Sequence, residues 1–311
     1  MPMRNVPARP KQSALVTLAA ALAFALAASP SGAAQSGRRS NDKKGAPPAP
    51  SAPLLKRTTT RRETRRLGYG GSVTLVGAPE GSVTVEAWPR EEVEITADVE
   101  QSASTEEELT RLAAVNTFVV DEDLNHVRVM TVGVHDRKYL KRVARDLPKS
   151  LLAMPWKIDY HLRVPAAVDL EVNAGRGALA ISGVEGGVQV NAGGGGAEFT
   201  LAGGDVNATV ASGPVTVRVP ARSWRGRGLE VRVASGDLTV ELPAGFSGDI
   251  NAEVLRTGRV ENAYAGLAPR EHTQATERSL QGRAGAGGAT LSFTVGDGTL
   301  RITQKSEGRK Q

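Results

Sequence analysis

The chain has 311 residues, 40% of them hydrophobic but only 4% aromatic, with 35 glycines and no cysteine. That mix favours short strands and tight turns over long helices, and it excludes disulfides, thiolate metal sites, a cysteine nucleophile and a lipid-modified cysteine. The formal charge of +6 is unevenly spread, with +3 in residues 1–34, +8 in residues 35–66 and −5 in residues 67–311, so the body lacks the positive surplus of a nucleic-acid-binding face.

Residues 1–34 read as a secretory signal peptide. Arg4, Arg9 and Lys11 form its positive start, residues 14–28 an apolar run, and small residues follow, with cleavage expected after Ala27 or after Ala34. The run is shorter than the roughly 20 residues of a spanning helix. Residues 35–66 read as a disordered, basic, proline-rich linker, because such a segment cannot bury enough apolar area to offset its ordering entropy. It would be a solvated spacer or an arm in contact with an anionic membrane or polymer. The folded body is expected over residues 67–304, with a frayed tail at 305–311.

In that body, Gly71-Ser72-Val73-Thr74-Leu75 is echoed by Gly81-Ser82-Val83-Thr84-Val85, and Val93, Ile95 and Ala97 alternate after them. These predict three successive strands, antiparallel or coiled, with glycine turns. Ser104 three residues before Glu107 is a capping-box pattern and predicts a helix over 106–114. Residues 118–120 and 127–130 return to strand around a polar turn. Tyr139, Leu140, Val143 and Leu147 stand at helical spacing ahead of Pro148, which ends a helix. Residues 104–154 are therefore expected as a helical insertion against the sheet structure. Trp156, Ile158, Tyr160 and Leu162 alternate as a further strand.

From residue 168 to 260 one pattern recurs: short alternating strands such as Leu170/Val172, Leu179/Ile181, Val188/Val190 and Phe199/Leu201, separated by Gly, Ser, Asn or Asp. The stretch Val210-Ala211-Ser212-Gly213-Pro214-Val215-Thr216-Val217 returns as Val233-Ala234-Ser235-Gly236-Asp237-Leu238-Thr239-Val240, 23 residues later. A self-match of that length marks stacked units that share a core. Outward residues, among them Glu171, Gln189, Glu198, Thr200, Thr216, Arg218, Glu230, Arg232 and Glu241, would form polar ladders. A β-solenoid or roll is predicted, with a β-sandwich as the alternative. Residues 261–288 are polar and glycine-rich. A last pair, Leu291/Phe293/Val295 and Leu300/Ile302, flanks the tight-turn signal Gly296-Asp297-Gly298.

The Ala-Ser-Gly corners at 211–217 and 234–240, with the closing strand at 296–302, resemble the bacterial adhesin-like domains of unknown function called GIN-type head domains. The resemblance spans about residues 70–304 and is clearest from Val168 onward. It implies a right-handed parallel β-helix-like stack and an envelope location, and it carries no catalytic residues to transfer.

The candidate chemistry is sparse. Asp121, Asp123 and Asn125 have the opening spacing of a calcium loop, but His126 stands where glycine is needed and Val132 where glutamate is needed, so a polar hairpin turn is expected. His126, His135 and Asp136 lack metal-ligand spacing. The glycine runs at 193–196 and 282–288 lack a phosphate loop's Lys-Ser/Thr ending. Ser212 and Ser235 have no histidine in their repeats to act as base. Glu171, Glu198, Glu230 and Glu241 would mimic the paired carboxylates of a glycan-cleaving enzyme only if they converged. Trp88, Trp156 and Trp224 are scattered, Trp156 being expected in the core and Trp224 as an exposed contact. No catalytic, cofactor or metal residues are assigned. The expected function is an exported, non-enzymatic envelope or cell-surface protein of adhesin-like type that binds or scaffolds a macromolecule, either a protein or an envelope polymer. The alternatives are a carbohydrate-active β-helix enzyme and a periplasmic accessory in envelope-stress signalling.

Overall fold

Alternation at period two puts the valines and leucines of each short strand on one side, and two such sides must meet to bury them. A computed structural model describes residues 53–77, 79–270 and 275–305. The signal peptide, the linker up to residue 52 and the tail from 306 lie outside the described residues. In chain order the elements are β1 (Leu55–Arg66), β2 (Ser72–Val76), β3 (Val83–Trp88), β4 (Glu92–Ala103), α1 (Glu106–Ala113), β5 (Thr117–Asp123), β6 (His126–Val132), α2 (Arg137–Val143), a 3-10 turn at Lys149–Ala153 and β7 (Trp156–Pro165). Next come β8 (Asp169–Arg176), β9 (Leu179–Ser182), β10 (Gly187–Gly194), β11 (Ala197–Thr200), β12 (Gly203–Ser212), β13 (Val215–Arg218), β14 (Arg225–Ser235) and β15 (Leu238–Leu242). The last are β16 (Gly248–Thr257), β17 (Val260–Asn262), β18 (Leu267–Pro269), β19 (Ser279–Ala284), β20 (Thr290–Asp297) and β21 (Leu300–Gln304).

These strands form two open sheets. One runs β1-β4-β7-β3-β9-β11-β13-β15-β21-β17 and the other β18-β19-β16-β20-β14-β12-β10-β8-β2-β6-β5. The chain alternates between them through the middle of the molecule, so β8, β10 and β12 pair in parallel in one sheet and β9, β11 and β13 in the other. The inner residues stack in register: Leu170 beside Val188 beside Val206, and Ile181 beside Phe199 beside Val217. The 23-residue repeat falls into register as well, with Val210 beside Val233 and Val217 beside Val240. One core, containing the fully buried Phe118, Phe199, Phe246 and Phe293, runs between the sheets. Each large apolar side chain removed from water there contributes about 1.5–3 kcal/mol.

The arrangement corrects the uniform parallel stack. Both sheets are mixed, and the parallel run is flanked by antiparallel ladders, β1-β4-β7 and β5-β6 at one end and β16-β19-β18 at the other. Two facing, unclosed sheets are the sandwich alternative. The reason is in the termini: a parallel stack leaves open edges that must be covered, and antiparallel strands end three of the four, while the ten-stranded sheet ends in the three-residue β17, paired in parallel with β21. The last turn is also corrected. Gly296-Asp297-Gly298 carries the chain from β20 in one sheet to β21 in the other and does not close a hairpin.

The linker reading fails for its last twelve residues. Leu55–Arg66 form β1, paired along its whole length with β4. Charge density hid this strand, since its cations find partners only in the folded molecule: Lys56 bonds Glu100 at 3.1 Å, Arg57 meets Glu106, and Arg61 lies 4.4 Å over the Phe118 ring while donating to the Phe118 carbonyl. Thr58-Thr59-Thr60, β-branched and favourable in strands, is the local signal that betrays it.

The insertion is helical at both ends only. Between α1 and α2, β6 joins the sheet in parallel with β2, and β5 pairs beside it. Thr105, one residue after the expected Ser104, caps α1, its side chain accepting from the Glu108 N–H. The helices bury a second cluster of Ala103, Leu109, Leu112, Val115, Val134, Leu140 and Leu151. Trp156 packs against both cores.

Candidate binding face

Strands β2, β8, β10, β12 and β14 turn Val and Leu inward and polar residues outward, which makes the outer face of the eleven-stranded sheet a grid. Parallel register aligns Thr74, Glu171, Gln189, Asn207 and Glu230 in one row. Val76, Asn173, Asn191, Thr209 and Arg232 form the next row. Rungs lie about 4.8 Å apart and successive outward residues on a strand about 6.6 Å apart. The amides interlock: Asn191 donates to Asn173 Oδ1 at 3.1 Å, Asn173 to Glu171 Oε1 at 2.9 Å, and the Thr74 hydroxyl to Glu171 Oε2 at 3.4 Å. Such ladders hold side chains in fixed rotamers and present their remaining donors and acceptors outward.

Two open depressions adjoin on this face. One of about 510 Å³ is lined by Ser72, His126, Asp169, Glu171, Gln189, Asp205 and Asn207, among others. The second, of about 580 Å³, is lined by Val76, His135, Asn173, Asn191, Thr209 and Ala211, among others. In the first, His126 Nδ1 and the Ser72 hydroxyl are 2.7 Å apart, and Asp169 Oδ1 accepts from the Gly187 N–H at 2.8 Å. Beside the second, the His135 ring stacks on Trp156 with centroids 5.4 Å apart. Burial pushes the His135 pKa below its ordinary value, with the nearby Asp136 working the other way. Asp136 is held below the usual carboxylate range chiefly by the Tyr139 N–H, with that of Lys138 adding to it, at the start of α2.

The structure separates residues the sequence left open to convergence. Glu171 and Glu230 lie on this face three rungs apart, about 14 Å, whereas Glu198 and Glu241 lie on the opposite sheet. There Arg218 bridges both, reaching Glu198 through Nη1 and Glu241 through Nε at 2.9 Å. His126 opens β6 and His135 lies beyond its other end, about 20 Å along the strand. Among the described residues no three His, Asp or Glu side chains gather as a metal site. Asp123 and His126 close the β5–β6 hairpin around Leu124, which takes φ 31°, and the Asn125 amide donates to the Tyr69 carbonyl. Ser212 and Ser235 pair at a corner, Ser212 donating to the Gly193 carbonyl at 3.4 Å. Trp224, expected exposed, is buried, and its Nε1 donates to the Gly204 carbonyl at 3.0 Å. The face itself was legible as alternation, but Asp169, Asp205, Asn207 and Ser72 were not singled out. Val-Asn-Ala occurs at 172–174, 190–192 and 206–208 in the sequence, and the register puts Asn173 and Asn191 in the second row but Asn207 in the first.

No family model matches the chain, and no curated protein matches it. Among solved structures it is similar to a putative cell adhesion protein from Clostridium sporogenes, with 13% identity over 79% of this chain and 100% of that one and a TM-score of 0.41. It is also similar to a putative adhesin from Bacteroides fragilis, with 11% identity over 78% and 97% of the two chains and a TM-score of 0.28. A putative adhesin from Parabacteroides distasonis shows 8% identity over 79% and 97%, with a TM-score of 0.24.

Proposed function

We propose that this chain is an exported, non-enzymatic binding or scaffolding module of adhesin-like type, acting in the envelope or at the cell surface. The observation that carries the reading is the registered polar grid on the outer face of the eleven-stranded sheet. Its amides, hydroxyls and carboxylates repeat at fixed spacing across parallel rungs, and its depressions are open along the sheet. A flat, repeating face of that kind suits an extended macromolecule, a protein or an envelope polymer, better than a small molecule, which is usually held in an enclosing pocket. Export rests on the residue 1–34 pattern and the adhesin-like type on the Ala-Ser-Gly corners.

Protease shaving of intact cells carrying a C-terminally tagged copy tests the location, with lysed cells as control. Loss of the tag on intact cells is the expected result. Protection until lysis would favour a periplasmic partner and count against an adhesin.

A further inference from the structure

The densest unpaired positive charge on the described surface is on the helical cap. Over residues 137–149 the chain carries Arg137, Lys138, Lys141, Arg142, Arg145 and Lys149 against Asp146 alone. All six cations are exposed, and none forms an ion pair among the described residues. This contrasts with the sheet faces, where Arg218, Arg232, Arg256, Arg259 and Arg301 each pair with a carboxylate. Asp136, the nearest acid before the helix, is occupied as its cap.

Aliphatic side chains are exposed among these cations. Val143 is 51% exposed and Leu152 42% exposed. An open depression of about 460 Å³ between α1 and α2 is walled by Ala114, Val115, Val143, Ala144 and Leu147 and edged by Arg111, Arg145 and Asp146, Arg111 being paired with Glu107. The chain also enters the fold at this end: Leu55, the first residue of β1, sits opposite Ala103 of the helical cluster, and both Leu54 and Leu55 are exposed. By sequence, residues 35–52 carry Arg38, Arg39, Lys43 and Lys44 against Asp42.

We infer that the cap formed by α2, its following turn and the Lys149–Ala153 3-10 turn is a docking surface for an anionic lipid bilayer. Cations attract a headgroup layer of opposite sign, and the effect grows with each Lys or Arg near the surface. Aliphatic side chains between the cations then enter the boundary of headgroups and acyl chains, as on interfacial helices. A soluble polyanion would use the charge but gain nothing from Val143 and Leu152, so the exposed apolar groups favour a bilayer. This surface is separate from the polar grid and does not depend on what the grid binds.

Flotation of the purified chain with vesicles of phosphatidylcholine, with or without phosphatidylglycerol, tests the inference. Binding is expected only with phosphatidylglycerol and should weaken with salt. Lys141→Glu/Arg142→Glu/Arg145→Glu/Lys149→Glu is expected to weaken it by about tenfold or more. Val143→Ser/Leu152→Ser, which removes the apolar groups without changing the charge, is expected to weaken it too, with circular dichroism unchanged in both variants. Wild-type binding by the charge variant would assign the effect to residues 35–52 and overturn the proposal. So would absence of binding to anionic vesicles, or dextran sulfate binding as tight as vesicle binding with both indifferent to Val143→Ser/Leu152→Ser.

Discussion

At the scale of single residues, the corners between the sheets are held by stacked glycines. Gly236 takes φ 142°, and a Cβ there would stand 2.1 Å from the Gly213 carbonyl oxygen. Its own carbonyl oxygen lies 2.1 Å from the Cβ position of Gly298 on the next rung. Gly245 also has positive φ, at 70°, but a Cβ there would meet nothing within 4 Å. Backbone strain alone costs about 1–2 kcal/mol for a left-handed alanine, whereas a clash with fixed backbone on a neighbouring rung adds to it. Gly236→Ala is therefore expected to lose about 3 kcal/mol or more, and Gly245→Ala about 1 kcal/mol. Urea unfolding of the two variants measures this, and equal losses would refute the stacking account. The Ala-Ser-Gly motif made the corner legible in the sequence. That Gly236 touches both Gly213 and Gly298 was not legible, because the partners lie 23 and 62 residues away.

At the scale of elements, β1 decides what happens to an edge. It covers twelve residues of β4, Glu92–Ala103, whose backbone would otherwise be an open template for pairing with another chain. A chain that starts at Leu67 is expected to self-associate through β4. Light scattering behind size-exclusion chromatography would show a mass that rises with concentration, while the full chain does not change in this way. Elution of both forms at the same subunit number would remove the edge-covering role. Sequence reasoning missed β1 because it weighed basic charge against apolar content, and this strand has almost no apolar content. Its stability comes from ladder hydrogen bonds and from acids contributed by β4 and α1. By contrast, α2 was legible in part: Tyr139, Leu140 and Val143 show helical spacing behind the Asp136 cap, but the helix stops at Val143, short of Leu147 and Pro148, which were expected to extend and end it.

At the scale of the molecule, the two sheets share one continuous core, reaching from Leu67 to Ile302. Stacked repeats can unfold piecemeal, because each unit touches only its neighbours. Here the antiparallel ends and the late strands tie the coils together, and Trp156 joins the helical cluster to the main core. A single cooperative transition is expected, with tryptophan fluorescence and far-ultraviolet circular dichroism coinciding. Phe199→Ala, in the centre of the core, is expected to cost about 3–5 kcal/mol and to shift both signals equally. Separate shifts would mean that the coils unfold independently.

By itself the sequence determined most of the strands over residues 168–260 and the last two, their inward and outward residues, the glycine corners and the register of the 23-residue repeat, but it missed β18 and β19 in the polar stretch 261–288. The features it determined follow from alternation and turn chemistry, which act within a few residues or at one fixed period. Only the tertiary structure decided which strands are neighbours. It inserts β20 and β21 between the β14–β15 coil and the β16–β17 coil, makes an edge strand of a basic segment, and assigns Glu171 and Glu198 to opposite faces. Alternation states that a strand has a buried side but not which strand lies beside it. Because loop-closure entropy rises only slowly with loop length, pairings 62 residues apart remain open until cross-strand burial selects one of them.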